Sequence, residues 1–103
     1  MKQIINKKLY NTETAQLIHE WSHSNPSDFR YVSEGLYKTK NGNYFLAGQG
    51  GPASKYAQSC GSNSMSGGSQ ITPLHQFEAI EWLEKHDGTE AIEKYFSGEV
   101  EEA

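Results

Sequence analysis

Residues 30–48 have the sequence RYVSEGLYKTKNGNYFLAG, in which two runs rich in aromatic and aliphatic side chains are joined at Asn41-Gly42. An Asn-Gly pair suits the positive φ angles of a type I′ turn, a tight connection between antiparallel strands. The stretch therefore predicts a β-hairpin, which we place at the centre of a small antiparallel sheet.

The length of the turn determines which side chains share a face of this hairpin. A two-residue loop would pair Lys38 with Phe45 and Tyr37 with Leu46. Tyr37, Tyr44 and Leu46 would then lie on one face, and Lys38 and Phe45 on the other.

A helix is predicted before the hairpin. Asn11 or Thr12 can cap it, and it should end before Pro26, because proline disfavours helical backbone in the preceding residue. Its apolar stripe has helical spacing and consists of Thr14, Leu17, Ile18 and Trp21. The run from Lys2 to Tyr10, which precedes it, predicts a short strand or a tight hairpin.

Two more helices are predicted after a long connection rich in glycine and serine, residues 48–70. Thr72 can cap the first of them, with Pro73 at its first position. Its buried side is predicted to include Phe77, Ile80 and Leu83. Thr89 begins a third, shorter helix. The sequence thus predicts an α+β fold: a small antiparallel sheet with a central Tyr-rich hairpin, one N-terminal helix and two C-terminal helices.

The length of 103 residues suits one domain, which we expect to span residues 1–98 and to be followed by a frayed acidic tail, residues 99–103. Hydrophobic residues make up only 35% of the chain, but an aromatic content of 12% supplies large side chains for a small core. No apolar run is long enough for a membrane span or a signal peptide, and the single Cys60 cannot form an internal disulfide. We therefore expect a cytoplasmic protein.

Charge is distributed unevenly along the chain. Residues 1–55 contain seven of the nine Lys and Arg residues and four acids, whereas residues 56–103 contain two Lys and nine acids. The net charge of -4 therefore combines a basic first part with an acidic second part. This division predicts two electrostatically different surfaces, which serve either recognition or solubility alone.

The segment HEWSH, residues 19–23, matches the H-E-x-x-H signature, in which two His on one helical face bind zinc and Glu acts as general base. In the predicted N-terminal helix, however, His19 and His23 would point away from the apolar stripe, close to the end of the helix. A third ligand and supporting residues would then be missing. We interpret the histidines as surface residues, with zinc-dependent hydrolysis by His19, Glu20 and His23 as the alternative.

The glycines after the hairpin imitate a cofactor motif. The run GQGGPA, residues 48–53, resembles a dinucleotide fingerprint, but Pro52 lacks a backbone donor and no acidic residue follows at the required distance. We therefore expect no cofactor. Cys60, surrounded by Ser, Gly and Asn, is interpreted as a spectator thiol.

Two sets of side chains are candidates for binding a macromolecule. Basic and tyrosine side chains alternate along the hairpin and the following loop, a combination that stacks bases and contacts phosphates; packing of the tyrosines in the core is the alternative. These residues are Arg30, Tyr37, Lys38, Lys40, Tyr44, Lys55 and Tyr56. The second set is an acidic stripe on the first C-terminal helix, formed by Glu78, Glu81 and Glu84.

Three segments carry a resemblance to known proteins: YNTETA at residues 10–15, YFLAGQGGPASKY at residues 44–56 and ITPL at residues 71–74. In these segments the chain resembles a family of short orphan proteins carried by phages, plasmids and integrated elements of Gram-positive bacteria. Some small proteins of that kind are anti-CRISPR inhibitors of type II effector nucleases. The resemblance implies an inhibitor without enzymatic activity in the host cytoplasm, and it transfers no functional residues.

The resemblance implies a host-defence inhibitor that binds a CRISPR effector nuclease or its guide RNA and blocks assembly or target loading. The acidic helices would occupy a basic nucleic-acid channel, or the basic hairpin surface would compete for the guide RNA. The alternatives are a small metal-dependent hydrolase or RNase, and a non-enzymatic adaptor of a mobile element. Neither a membrane nor a small-molecule substrate is expected as a partner.

Overall fold

The computed structural model describes residues 1–103 and contains eight strands and two α-helices. The strands are β1 (Lys2–Ile5), β2 (Lys8–Asn11), β3 (Gln16–His23), β4 (Val32–Lys38), β5 (Tyr44–Gly50), β6 (Gln58–Ser59), β7 (Met65–Ser66) and β8 (Gly68–Leu74). The helices are α1 (Gln76–Lys85) and α2 (Thr89–Tyr95), and a 3-10 turn follows at Ser97–Glu99. Neither α-helix has the length and apolar character needed to cross a membrane. The predicted α+β class is confirmed.

A four-stranded antiparallel sheet with the order β3-β4-β5-β8 forms the centre of the molecule. Side chains on β5 alternate between its two faces. Leu46 points towards the helices and packs with Leu36 and with buried side chains of α1 and α2. Phe45 points the other way and packs with Tyr10 of the separate β1–β2 hairpin. The sheet is therefore covered by helices on one face and by a hairpin on the other.

The predicted central hairpin is present as β4 and β5, but its register differs from the prediction by one residue. Lys38 pairs with Tyr44, and Tyr37 pairs with Phe45. Because directly paired residues lie on the same face, Tyr37 and Tyr44 lie on opposite faces of the sheet. The predicted shared face of these two tyrosines is wrong.

The cause of the shift is the length of the loop. Thr39 and Asn43 close the turn, with the Thr39 N–H donating to the Asn43 carbonyl at 2.8 Å, so three residues lie between them. Gly42, the last of the three, has a φ angle of 86°. A three-residue loop that ends in a left-handed residue is the second common hairpin connection, and the Asn-Gly pair is compatible with both.

The predicted N-terminal helix is wrong, because residues 16–23 form the edge strand β3. Asn11 does accept a helix-like hydrogen bond from the Ala15 N–H at 3.0 Å, but this single turn does not continue. In the strand, His19 and Trp21 face the helices while Glu20 faces the opposite side. Pairing with β4 satisfies the backbone groups on one side of β3 and places both aromatic rings against the core, so tertiary structure overrides the helical pattern.

The two predicted C-terminal helices are confirmed, but the first begins later than predicted. Thr72 and Pro73 belong to β8, an edge strand on which the missing N–H of proline is tolerated. The helix α1 follows His75, whose N–H donates to the Glu78 carboxylate at 2.8 Å. Phe77, predicted to be buried, is 62% exposed. Leu83 is buried as predicted, together with Ala79 and Trp82, which were expected to flank it, and Ile80 is half-buried.

Candidate functional site

The sheet separates the acidic C-terminal helices from the basic β1–β2 hairpin. The helical layer and the short tail after it, residues 75–103, carry all nine acids of the second part of the chain and only two Lys. On the opposite face, the β1–β2 hairpin carries Lys2, Lys7 and Lys8. Much of the uneven charge along the chain thus becomes a difference between the two faces of one sheet, although Lys38 lies on the helical face and Glu20 on the hairpin face.

A groove of about 320 Å³ lies between the β1–β2 turn and the β4–β5 turn. Lys7 and Lys8 line it from the first turn, and Lys40 lines it from the second. None of its ten lining residues is acidic. We call this feature the turn groove. Three cations in one concavity make it a candidate site for an anion.

Uncharged polar groups complete the lining of the turn groove, among them the side chains of Asn11, Thr39, Asn41 and Asn43. The side-chain oxygen of Asn11 accepts a hydrogen bond from the Glu13 N–H at 3.0 Å, so its NH₂ group is left to donate to a ligand. The hydroxyl oxygen of Thr39 accepts from the Asn43 N–H at 3.0 Å and keeps its own proton for donation. The groove therefore offers neutral hydrogen-bond donors beside its lysines.

Lys7 occupies a backbone conformation that lysine rarely adopts. The φ angles of Asn6 and Lys7 are 51° and 66°, both in the left-handed region that a type I′ turn requires. Asparagine tolerates this region, whereas for lysine it costs about 1 kcal/mol relative to glycine. The stability of the turn therefore does not explain why position 7 is a lysine.

A second polar assembly lies inside the core, on the helical side of the sheet. Glu34 of β4 is 1% exposed, and its carboxylate accepts hydrogen bonds from Trp82 Nε1 at 3.0 Å and from the Tyr56 hydroxyl. Lys55 Nζ lies 2.6 Å from the carboxylate and His86 Nε2 lies 4.0 Å from it. We call these five residues the Glu34 cluster. It connects the Gly/Ser loop and α1 to the central strand.

The protonation states of the Glu34 cluster follow from burial and hydrogen bonding. Burial alone would raise the pKa of Glu34, but the hydrogen bonds from Lys55, Trp82 and Tyr56 outweigh it, so the pKa lies below its usual value. Burial, together with the hydrogen bond to Glu34, raises the pKa of Tyr56. Burial lowers the pKa of His86. Both carboxylate oxygens have partners within the protein, which favours a structural role over a catalytic one.

The structure divides the predicted basic residues among separate places. Lys40 lines the turn groove, whereas Lys38 lies on the helical face of the sheet. Lys55 is engaged with Glu34, and Arg30 is exposed in the loop before β4, at the end opposite to Lys38. These four cations do not form one continuous surface.

The predicted tyrosines make packing contacts. Tyr37 stacks on Phe45 with ring centroids 5.3 Å apart, and Tyr44 contacts Phe96 at 5.3 Å. Tyr56 is buried. These contacts favour the packing interpretation over base stacking.

The predicted acidic stripe on α1 is only partly free. Glu81 and Glu84 are exposed on the helix. Glu78 is half-buried, and its carboxylate accepts the His75 N–H at the start of α1. Glu78 therefore stabilises the helix terminus, and the other two glutamates remain available for a partner.

The HEWSH segment lies on strand β3, where residues four apart are separated by roughly 13 Å along the chain. Zinc holds nitrogen ligands at about 2 Å, so His19 and His23 are too far apart to share an ion as they would on a helix. His19 Nε2 lies 2.9 Å from the His86 carbonyl oxygen, and His23 is exposed beside Trp21. No group of three or more His, Cys, Asp and Glu side chains is arranged to hold a metal ion. The helical zinc geometry is therefore absent.

Sequence reasoning missed Lys7, Lys8 and Glu34. The available signal for Glu34 is its position between Val32 and Leu36, two apolar residues at the alternating spacing of one strand face, whereas the convergence of the two turns has no signal in the sequence. Comparison of the chain with protein-family models, curated proteins and solved structures finds no match. Function is therefore inferred from the chemistry of the two faces.

Proposed function

We propose that this chain is a host-defence inhibitor of the anti-CRISPR type, which binds a CRISPR effector nuclease or its guide RNA and blocks assembly or target loading. The observation that best supports this proposal is the division of charge between the two faces of the sheet. An effector complex offers a complement to each face, because its guide RNA is anionic and the channel around the heteroduplex is basic. A small protein with one acidic and one basic face can contact both.

The proposed mode of action is binding without catalysis. The carboxylate of Glu34 is fully occupied by internal partners, and the HEWSH segment lies on a strand. The turn groove contains no carboxylate or imidazole that could act as general base. These features support an inhibitor in preference to a metal-dependent hydrolase or RNase.

Target cleavage by purified type II effector nucleases, each with its guide, tests the proposal. The chain is added at molar excess before the guide, after the guide, or after the target DNA. We expect inhibition when it is added before the guide or before the target, because the proposed contacts compete with these nucleic acids, and none when the target is already bound. A panel of effectors that cleave at unchanged rates under every order of addition contradicts the proposal and favours an adaptor of a mobile element.

A further inference from the structure

We propose that the turn groove binds the sugar–phosphate backbone of single-stranded RNA. The identity of that RNA as a guide rests on the proposed function, but the binding itself requires no effector protein. The proposal depends on the charge, the backbone strain and the neutral donors of the groove, and each of these is an independent feature of the structure.

Three lysines from two turns converge on the groove without an anionic partner. Lys7, Lys8 and Lys40 take part in none of the ion pairs of the molecule, all of which involve Asp28 or Glu34. Like charges brought together in a concavity repel one another, and an anion that enters the groove relieves this repulsion. The natural occupant is therefore a ligand with several negative charges.

Lys7 adds a second observation. Its positive φ angle of 66° strains a turn that glycine or asparagine would form without strain. Backbone strain of this kind persists at sites where the side chain has another role. At position 7 that side chain is a cation that lines the groove, so we infer that its role is to bind an anion.

The neutral polar groups favour RNA among the polyanions. Asn11, Asn41 and Asn43 present amides that can donate to phosphate oxygens and can both donate to and accept from a ribose 2′-hydroxyl. DNA lacks that hydroxyl, and an acidic peptide lacks the ribose altogether. A volume of about 320 Å³ between two turns fits a short piece of single strand and is too small for an A-form duplex.

The concave shape of the turn groove also favours RNA over a lipid surface as the ligand. Lysines that bind anionic lipid headgroups must reach a flat plane together. The lysines of the turn groove come from two turns and face a shared cavity. We therefore expect binding to RNA and weak binding to anionic vesicles.

Fluorescence anisotropy with a labelled single-stranded RNA of about ten nucleotides, at several salt concentrations, tests the proposal. Three lysine–phosphate contacts predict that log K falls with log salt concentration with a slope of about -2, since each contact on a single strand contributes about -0.7. The double variant Lys8→Gln/Lys40→Gln leaves one of the three contacts, so the slope should become shallower, at about -0.7. Lys85→Gln/Lys94→Gln, which changes net charge equally but lies in the helical layer, should leave it unchanged.

The variant Lys7→Gly separates binding from folding. Glycine adopts positive φ freely, so we expect an unchanged or higher melting temperature together with weaker RNA binding and a smaller salt slope. A variant that keeps full RNA affinity would contradict the role assigned to Lys7, because a lysine that contacts the RNA cannot be removed without a loss of affinity.

Further probes decide the class of ligand. DNA of the same sequence, phosphatidylserine vesicles and polyglutamate should each bind more weakly than RNA. Equal affinity for any of them, or equal losses in the groove variant and its helical control, overturns the proposal. RNA binding without inhibition of any effector would contradict the proposed function but support the turn groove as an RNA site. Inhibition without RNA binding would support the proposed function but contradict the RNA site.

Discussion

Glu34 joins the helical layer to the central strand through a buried carboxylate that is 1% exposed. A carboxylate buried without partners costs several kcal/mol, and here Trp82, Tyr56 and Lys55 compensate that cost. Lys55 reaches the carboxylate from a position that is 61% exposed, so it remains partly hydrated. Loss of Glu34 would leave two buried donors, the Trp82 indole N–H and the Tyr56 hydroxyl, without their acceptor.

Glu34 should make the free energy of unfolding depend on pH under acidic conditions. The pKa of Glu34 is lower in the folded chain than the value of about 4.3 expected when unfolded, so its ionised form stabilises the fold above that value. This contribution is lost as the pH falls through the lowered folded pKa. We expect Glu34→Gln to lower the free energy of unfolding at neutral pH by about 2 kcal/mol and to flatten its dependence on pH under acidic conditions.

Urea denaturation across the acidic range measures both effects, with Glu84→Gln as an exposed control on α1. Glu84→Gln should follow the parent chain. A Glu34→Gln curve that runs parallel to the parent curve at every pH would show that Glu34 does not contribute through its charge.

At the scale of elements, the attachment of the Gly/Ser loop to the sheet depends on Gly48 of β5. A Cβ atom at this position would overlap the Tyr56 hydroxyl, which donates to Glu34. We expect Gly48→Ala to displace Tyr56 and to destabilise the fold by about 2 kcal/mol. Gly98→Ala, where a Cβ meets open space, should change stability by less than about 0.5 kcal/mol.

Thermal unfolding of Gly48→Ala and Gly98→Ala compares their losses of stability. A Cβ at position 48 overlaps the Tyr56 ring as well as its hydroxyl, so Tyr56→Ala is the background that removes the contact. A much smaller cost of Gly48→Ala in the Tyr56→Ala background than in the parent chain would confirm that this contact is responsible. Equal stability of the Gly48 and Gly98 variants would mean that the loop adapts without cost.

The elements that sequence could predict are those with local signals. The hairpin around Asn41-Gly42 and the helix that begins at Thr89 were predicted because turn chemistry and helical spacing act over a few residues. Residues 16–23 were predicted to be helical because Leu17, Ile18 and Trp21 have helical spacing, but pairing with β4 overrides that pattern. The turn groove was not predictable, because it forms between Lys7 and Lys40 only when two hairpins pack on each other.

At the scale of the whole molecule, topology determines where the charge lies. The N-terminal hairpin packs on one face of the sheet and the C-terminal helices pack on the other, so a difference along the chain becomes a difference across the molecule. The sequence already predicted two different surfaces, but it assigned the basic surface to Arg30, Lys38, Lys40 and Lys55. Of these, only Lys40 lines the groove in which the basic side chains converge.

Inhibition of target cleavage by paired charge variants tests this two-faced account most directly. The acidic-face variant Glu81→Lys/Glu84→Lys and the groove variant Lys8→Gln/Lys40→Gln should each raise the half-inhibitory concentration about tenfold, equivalent to about 1.4 kcal/mol of binding free energy. Their charge-matched controls, Glu101→Lys/Glu102→Lys in the tail and Lys85→Gln/Lys94→Gln in the helical layer, should raise it less than about twofold. Equal effects of variants and controls would contradict the account, since net charge alone would then explain the inhibition.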